Sequence, residues 1–267
     1  MANEHVGGNT FARRVGVAAY ELFVLYFGLG FLALLCLLWS VFAVFLFWLL
    51  PKEFGRRLGR GVIMGGFRLY IASLALTRGF RFDLTALDTL RNQGPLIIAP
   101  NHPSLLDAVM MLSRLPDVAC ILKASLMDNI LFGAGSRLAR YIRNDTPRNM
   151  IRESVGDLRR GSQLLLFPEG TRTTRSPVNA FKGGIALIAR HAQVPIQTVF
   201  IETDSPFLGK TWPLFRRAAM PISYRMRLGK RFDPPTDIHS FMTELENYYA
   251  DELLGRTECL PLGRGAK

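Results

Sequence analysis

This 267-residue chain is poor in cysteine, histidine and acid, and each shortage excludes something. The three cysteines, Cys36, Cys120 and Cys259, are far apart and odd in number, with no C-x-x-C pair. They make no disulfide framework and read as reduced thiols in a cytosol-facing protein. The four histidines include no H-E-x-x-H and no Cys/His cluster accompanies them, so no metal site is expected. G-x-S-x-G is absent, which removes an esterase elbow. Internal repeats and low-complexity tracts are also absent. Acidic residues number 21 against 33 Lys and Arg, for a net charge of +12. That imbalance points to an anionic partner: nucleic acid, an acidic membrane surface or a phosphorylated substrate.

Charge is also missing from one long stretch. The 29 residues from Leu22 to Leu50 carry none. About 20 apolar residues already cross a bilayer, whereas a signal peptide has an apolar region of about 7–15 and a small-residue cleavage site. The stretch therefore reads as membrane-embedded. As one helix it would be about 44 Å long, so it either tilts or bends near Gly28-Leu29-Gly30 and re-enters. Arg13 and Arg14 precede it, and Lys52, Arg56, Arg57, Arg60 and Arg68 follow it. By the positive-inside rule the remainder faces the cytoplasm, from an inner or cytoplasmic membrane. Residues 54–80 mix basic and apolar positions and fit two readings: an amphipathic helix on the membrane surface, or a helix packed on a globular domain. Much of the aromatic content sits in the N-terminal apolar run, not interleaved with a basic stripe, which argues against nucleic acid.

The expected domains are a membrane-anchoring helical region over 1–80, an α/β domain over 81–254 and a flexible tail over 255–267. Within the α/β domain, strands are expected at 80–83, 95–99, 118–122, 163–167 and 196–201, with a half-exposed final strand at 222–228. Helices are expected near 104–114, 126–139, 149–160, 179–192 and 236–253. Such alternation predicts a mostly parallel sheet flanked by helices. In such sheets chemistry collects past the C-terminal ends of the strands. Two loops there carry unusual residues: Asn101-His102-Pro103-Ser104-Leu105-Leu106-Asp107 and Pro168-Glu169-Gly170-Thr171-Arg172-Thr173.

On one helix, His102 and Asp107 would be about 500° apart and face away from each other. They meet only if His102 lies in the turn before a helix and Asp107 in its first turn. Pro103 suits a helix entry, and Ser104 and Asp107 have capping-box spacing. Two readings stay open here. Either Ser104 and Asp107 simply cap, or Asp107 fixes the tautomer of His102 and makes it a general base. Cys120 lies in an apolar run and reads as core, so no protein nucleophile accompanies the pair. A base without a nucleophile suggests activation of a substrate hydroxyl. In the second loop Gly170 lets backbone approach a ligand, Thr171 can donate a hydroxyl and Arg172 offers a fork that matches phosphate. Glu169 would orient Arg172 or bond a substrate hydroxyl. Arg143 and Lys182 could converge on the same place. Most of the seven arginines between 137 and 160 face water or headgroups. His5, His191 and His239 are expected at the surface.

Together the two loops resemble the glycerolipid acyltransferase family, in particular its 1-acyl-sn-glycerol-3-phosphate acyltransferases. That family carries N-H-x-S-x-x-D, matched by 101–107, and F-P-E-G-T-R-[ST], matched by 167–173. Tyr141-Ile142-Arg143 resembles its intervening apolar-then-arginine block. Residues 194–199 resemble its V-P-I-x-P-V block, with Thr198 where proline is common. The resemblance implies that His102, held by Asp107, deprotonates the hydroxyl of a lysophospholipid acceptor. Acyl-CoA or acyl carrier protein would be the donor co-substrate, and no cofactor is implied. Glu169, Gly170, Thr171 and Arg172 would bind the glycerol-phosphate head, helped by Arg143 and Lys182. Enzymes with the same pattern also acylate other hydroxylated acceptors in ornithine-lipid and pigment-lipid pathways. The competing classes are a non-catalytic basic membrane-binding protein and a lipid hydrolase in which His102 activates water.

Overall fold

The computed structural model describes residues 4–257. The chain order is α1 (Glu4–Leu49), α2 (Lys52–Leu76), β1 (Phe80–Asp83), a 3-10 turn (Thr85–Leu90), β2 (Ile97–Pro100), α3 (Asp107–Leu112), β3 (Val118–Lys123), α4 (Ala124–Met127), α5 (Gly133–Leu138), β4 (Ile142–Asn144), α6 (Pro147–Arg159), β5 (Gln163–Leu165), α7 (Gly184–Ala192), β6 (Ile196–Thr203), β7 (Ile222–Phe232) and α8 (Ile238–Thr257). The single helix expected at 126–139 is two short ones. Between them the Asn129 side chain accepts the Leu131 N–H at 2.8 Å, a local bond that competes with helix continuation. β4 escaped the sequence reading because three residues carry no periodicity.

The seven strands lie in the order β1-β7-β6-β2-β5-β3-β4. From β6 to β4 every pairing is parallel, whereas β7 runs antiparallel to β6 and β1 follows β7. The last strand, β7, alternates buried and more exposed positions as expected, and it pairs with β1 and β6. Successive strand residues point to opposite faces, and both faces are covered. Ile98, Val118, Cys120, Leu165 and Val199 join one core with α1, α2 and α3. Ile97, Ala99, Ala119, Leu164 and Phe200 join another with α6, α7 and α8. From β2 the chain crosses through α3 to β3. From β5 it crosses through α7 to β6, on the opposite side of β2. The loops leaving β2 and β5 thus part toward opposite faces and open a crevice between them.

α1 is unbroken through Gly28-Leu29-Gly30, so the bend that the sequence allowed is absent. Its residues 12–49 are long and apolar enough to cross a membrane. One side of the helix follows the domain. Tyr20 donates to the Thr77 carbonyl at 2.7 Å, and Ser40 to that of Leu131 at 2.7 Å. Phe23, Tyr26, Phe42, Phe45 and Trp48 are exposed on the rest of its surface. α2 packs through Gly55, Arg56, Gly59, Arg60, Tyr70, Ile71 and Leu74, which favours the packed reading of 54–80 for that face. Gly59 is required there: a Cβ would lie 2.8 Å from the Ala139 backbone nitrogen. Arg56 and Arg60, counted above among the charges flanking the apolar run, point inward and meet Asp117, Asp157 and Ser162. α8 extends to Thr257, into the segment expected as tail. The rest of that tail, Cys259 and the side chain of His5 lie outside the described residues.

Candidate active site

β2 and β5 are neighbours in register, Ile97 beside Leu164 and Ile98 beside Leu165, so their C-terminal loops emerge together. Asn101 fixes the first loop to β6: its Oδ1 accepts from the Ile201 N–H at 2.7 Å and its Nδ2 donates to the Ile201 carbonyl at 3.1 Å. Pro103 follows His102, and α3 begins only at Asp107. His102 therefore stands in the turn before the helix and Asp107 in its first residue, and the two meet with Nδ1···Oδ2 at 2.9 Å. The same Oδ2 accepts the Ser104 N–H at 2.8 Å, half of a capping box. The Ser104 hydroxyl accepts the Leu106 N–H at 3.3 Å and also meets the Phe207 carbonyl at 3.1 Å and the Tyr224 hydroxyl at 3.2 Å. The helix-entry turn and the His102 contact are thus one arrangement, with the Asp107 carboxylate joining both.

Asp107 is wholly buried, and its Oδ1 has no hydrogen-bond partner among the described residues. Burial pushes its carboxyl up, opposed by the His102 hydrogen bond and charge and by the Ser104 N–H. The His102 ring stacks on Phe167 at 3.9 Å between centroids and keeps 17% of its side chain exposed. Imidazole and carboxylate are held as an oriented pair, and Nε2 has no protein partner among the described residues. Cys120 offers no competing nucleophile: burial raises its thiol to about 12, so no thiolate forms near neutrality.

The second loop is tied to the first. Gly170 donates to the Phe167 carbonyl at 3.0 Å and has φ +66, a turn that favours glycine. What approaches Gly170 is Lys182, whose Cε and Nζ would lie 2.7 and 2.8 Å from a Cβ there. Lys182 also donates its backbone N–H to the Pro168 carbonyl at 2.9 Å. Of the two roles expected for Glu169, orienting Arg172 is not what the structure shows. The buried Glu169 carboxylate accepts the His102 N–H at 3.0 Å, the Thr173 hydroxyl at 2.7 Å and the Asn179 N–H at 2.9 Å. The Thr173 N–H closes the link to the His102 carbonyl at 2.7 Å. Arg172 instead donates through Nη1 to the carbonyls of Leu208 and Gly209, at 2.8 and 2.9 Å. Its Nε and Nη2, and the half-buried Thr171 hydroxyl, have no protein acceptor among the described residues.

Arg143 lies apart from this group. It sits on the edge strand β4, with β3 between it and β5, and forms a two-pronged pair with Asp128 at 2.7 and 2.8 Å. Sequence reasoning missed Asn179, whose side chain accepts from Thr174 and Arg175 and donates to the Arg172 carbonyl. That engagement delays α7 from the expected 179 to Gly184 and leaves Lys182 in the loop. It missed Tyr224 as well.

The fold is an α/β one, with the candidate functional groups on two adjacent strand ends. The profile of the Acyltransferase family matches residues 81–202, which include both loops. Human 1-acyl-sn-glycerol-3-phosphate acyltransferase beta is 29% identical over 205 residues, covering 71% of this chain and 70% of that protein. The 1-acyl-sn-glycerol-3-phosphate acyltransferase of Pseudomonas aeruginosa is 24% identical over 197 residues, covering 72% and 73%. The crystal structure of the 1-acyl-sn-glycerophosphate acyltransferase PlsC from Thermotoga maritima has the same fold, with a TM-score of 0.63 and 17% identity over 96% of this chain and all of that one. Over residues 81–202 the chain thus resembles the Acyltransferase family, and over about seven-tenths of its length it is similar to 1-acyl-sn-glycerol-3-phosphate acyltransferases.

Proposed function

We propose that the enzyme transfers an acyl chain from a thioester, on coenzyme A or acyl carrier protein, to the free hydroxyl of lysophosphatidic acid or a related lysolipid. The observation that carries this reading is the oriented pair: His102 Nδ1 on the buried Asp107 at 2.9 Å, in a loop bonded directly to the turn that bears Arg172 and Lys182. His102 Nε2 takes the acceptor's hydroxyl proton. The oxygen attacks the thioester carbonyl, the tetrahedral intermediate collapses and the C–S bond breaks. The departing sulfur recovers the proton from the imidazolium, which Asp107 stabilises meanwhile. The glycerol-phosphate head is held by Arg172 and Lys182, with Thr171 and the Gly170 turn beside them. Glu169 acts on the protein side, keeping the two loops in register. Arg143 stays paired with Asp128 and takes no part.

α1 is the membrane element in this reading. Its exposed apolar side faces hydrocarbon while the opposite side stays on the domain, and the catalytic domain lies on the cytoplasmic face. Lys52, Arg57 and Arg68 are the basic flank that supports this orientation. Purified enzyme with lysophosphatidic acid and acyl-CoA is expected to yield phosphatidic acid and free thiol in equal amounts. Release of free fatty acid without ester formation would make the enzyme a hydrolase and reject the acceptor role.

A further inference from the structure

The segment joining β6 to β7 has an unusual surface. Leu214 and Phe215 are exposed, Phe215 to 65%, with Lys210, Arg216 and Arg217 around them. An exposed phenylalanine beside a leucine on a loop tip calls for a partner. The loop is not slack. The Trp212 indole donates to the Arg216 carbonyl at 3.0 Å, and the Arg216 guanidinium lies 4.9 Å over the Trp212 ring. Arg217 pairs with Glu21, the last charge before the apolar run of α1, and Phe215 stacks on Tyr26 of that helix at 6.4 Å. The tip therefore continues the exposed apolar side of α1. The loop's other end reaches the site. The Leu208 carbonyl accepts both Arg172 Nη1 and the Leu105 N–H, at 2.8 and 3.0 Å, and the Phe207 carbonyl accepts the Ser104 hydroxyl. Leu208 is held at φ +56 to do so, a conformation rare for leucine.

We propose that the 206–217 loop is a second membrane-docking element. Leu214 and Phe215 enter the surface of an anionic phospholipid bilayer beside α1, with Lys210 and Arg216 on its headgroups and Arg217 holding the tip to Glu21 of α1, and so set Arg172 and His102 at the lipid surface. Two observations select this occupant: the basic rim complements anionic headgroups, and the tip is continuous with the apolar side of α1. The inference rests on the membrane reading of α1 given above. The docked loop lets a lysolipid reach Arg172 by moving along the surface, without leaving it for water.

The test uses the full chain on vesicles of phosphatidylcholine and phosphatidylglycerol. A nitroxide is attached to Phe215→Cys in a Cys259→Ser background; Cys36 and Cys120 are buried and stay unlabelled. Relaxation by oxygen is expected to exceed relaxation by a water-soluble nickel chelate at 215. The reverse is expected at His239→Cys, on α8 across the sheet. A water-like signal at 215 in protein that floats with vesicles overturns the loop proposal alone. Protein that does not float overturns the membrane reading with it. Spin–spin broadening at 215, lost on dilution with unlabelled protein, would assign the tip to a second copy of the chain instead. Leu214→Asp with Phe215→Asp should lower the ratio of activity on vesicle-embedded acceptor to activity on a dissolved short-chain acceptor by about tenfold. An unchanged ratio rejects the proposal, and wild-type protein inactive on every acceptor rejects only the activity assigned above.

Discussion

Charges are buried at both ends of the sheet, and the two ends treat them differently. At the N-terminal ends of β3 and β5, Arg60 donates to the Ala139 carbonyl, Asp117, Ser162 and Asp157, while Arg56 donates to Glu53, Asp117 and Ser162. Asp157 also takes Arg160. Burial alone would raise the Asp117 carboxyl, but Arg60 and then Arg56 hold it below its usual range. Hydrogen-bonding capacity there is matched from within the protein, and the result fastens α2 to the domain. At the C-terminal ends of β2 and β5 the capacity is not matched. Asp107 Oδ1 is buried without a partner, and Arg172 Nε and Nη2 have no protein acceptor among the described residues. A buried group left partly unpaired costs stability, typically about 1–3 kcal/mol. The C-terminal, or upper, end bears that cost at Asp107 and the N-terminal, or lower, end does not, which separates a candidate site from a clamp.

Substitutions can break this contrast. The largest effect belongs to the upper end: His102→Ala should lower kcat by about a thousandfold with circular dichroism and vesicle flotation unchanged. Activity near that of the wild type would remove His102 as the base. At the lower end, Arg60→Met leaves Asp157 buried without its main partner and should cost about 3–5 kcal/mol of folding stability in urea titrations. Activity per folded molecule should hold. A variant equally stable but inactive would place the Arg60 cluster in the chemistry and collapse the distinction between the two ends. A smaller change is expected from Arg172→Ala: KM for the acceptor rises about tenfold or more, and KM for the thioester stays put. If the thioester term moves instead, the phosphate role passes to Lys182. Arg143→Ala, at an exposed edge pair, should alter either constant by less than about twofold; a larger shift would return it to the site.

Much of this organisation was legible in the residues. Period-two and run patterns marked six of the seven strands, and the two motif loops were found because Asn101-His102 and Pro168-Glu169-Gly170 have no use within a strand. The missed parts share a cause. β4 has three residues, Asn179 acts through loop hydrogen bonds, and Glu169 faces His102 and Asn179, not its sequence neighbour Arg172. Arg56 and Arg60 looked like lipid-facing charges because their partners, Asp117 and Asp157, stand about sixty to a hundred positions away.

The sequence by itself determined the uncharged helix, the alternation of strands and helices, and the local geometry that lets His102 meet Asp107. These depend on residue type and on separations of a few positions, within which backbone stereochemistry dictates direction. Only the tertiary structure decided that the loops of β2 and β5 are neighbours, that Lys182 folds over Gly170 while Arg143 stays at the edge, and that the 206–217 loop joins α1 to Arg172. Those outcomes depend on strand order, and strand order is fixed by how helices cover both faces of the sheet, a property of the whole packed chain.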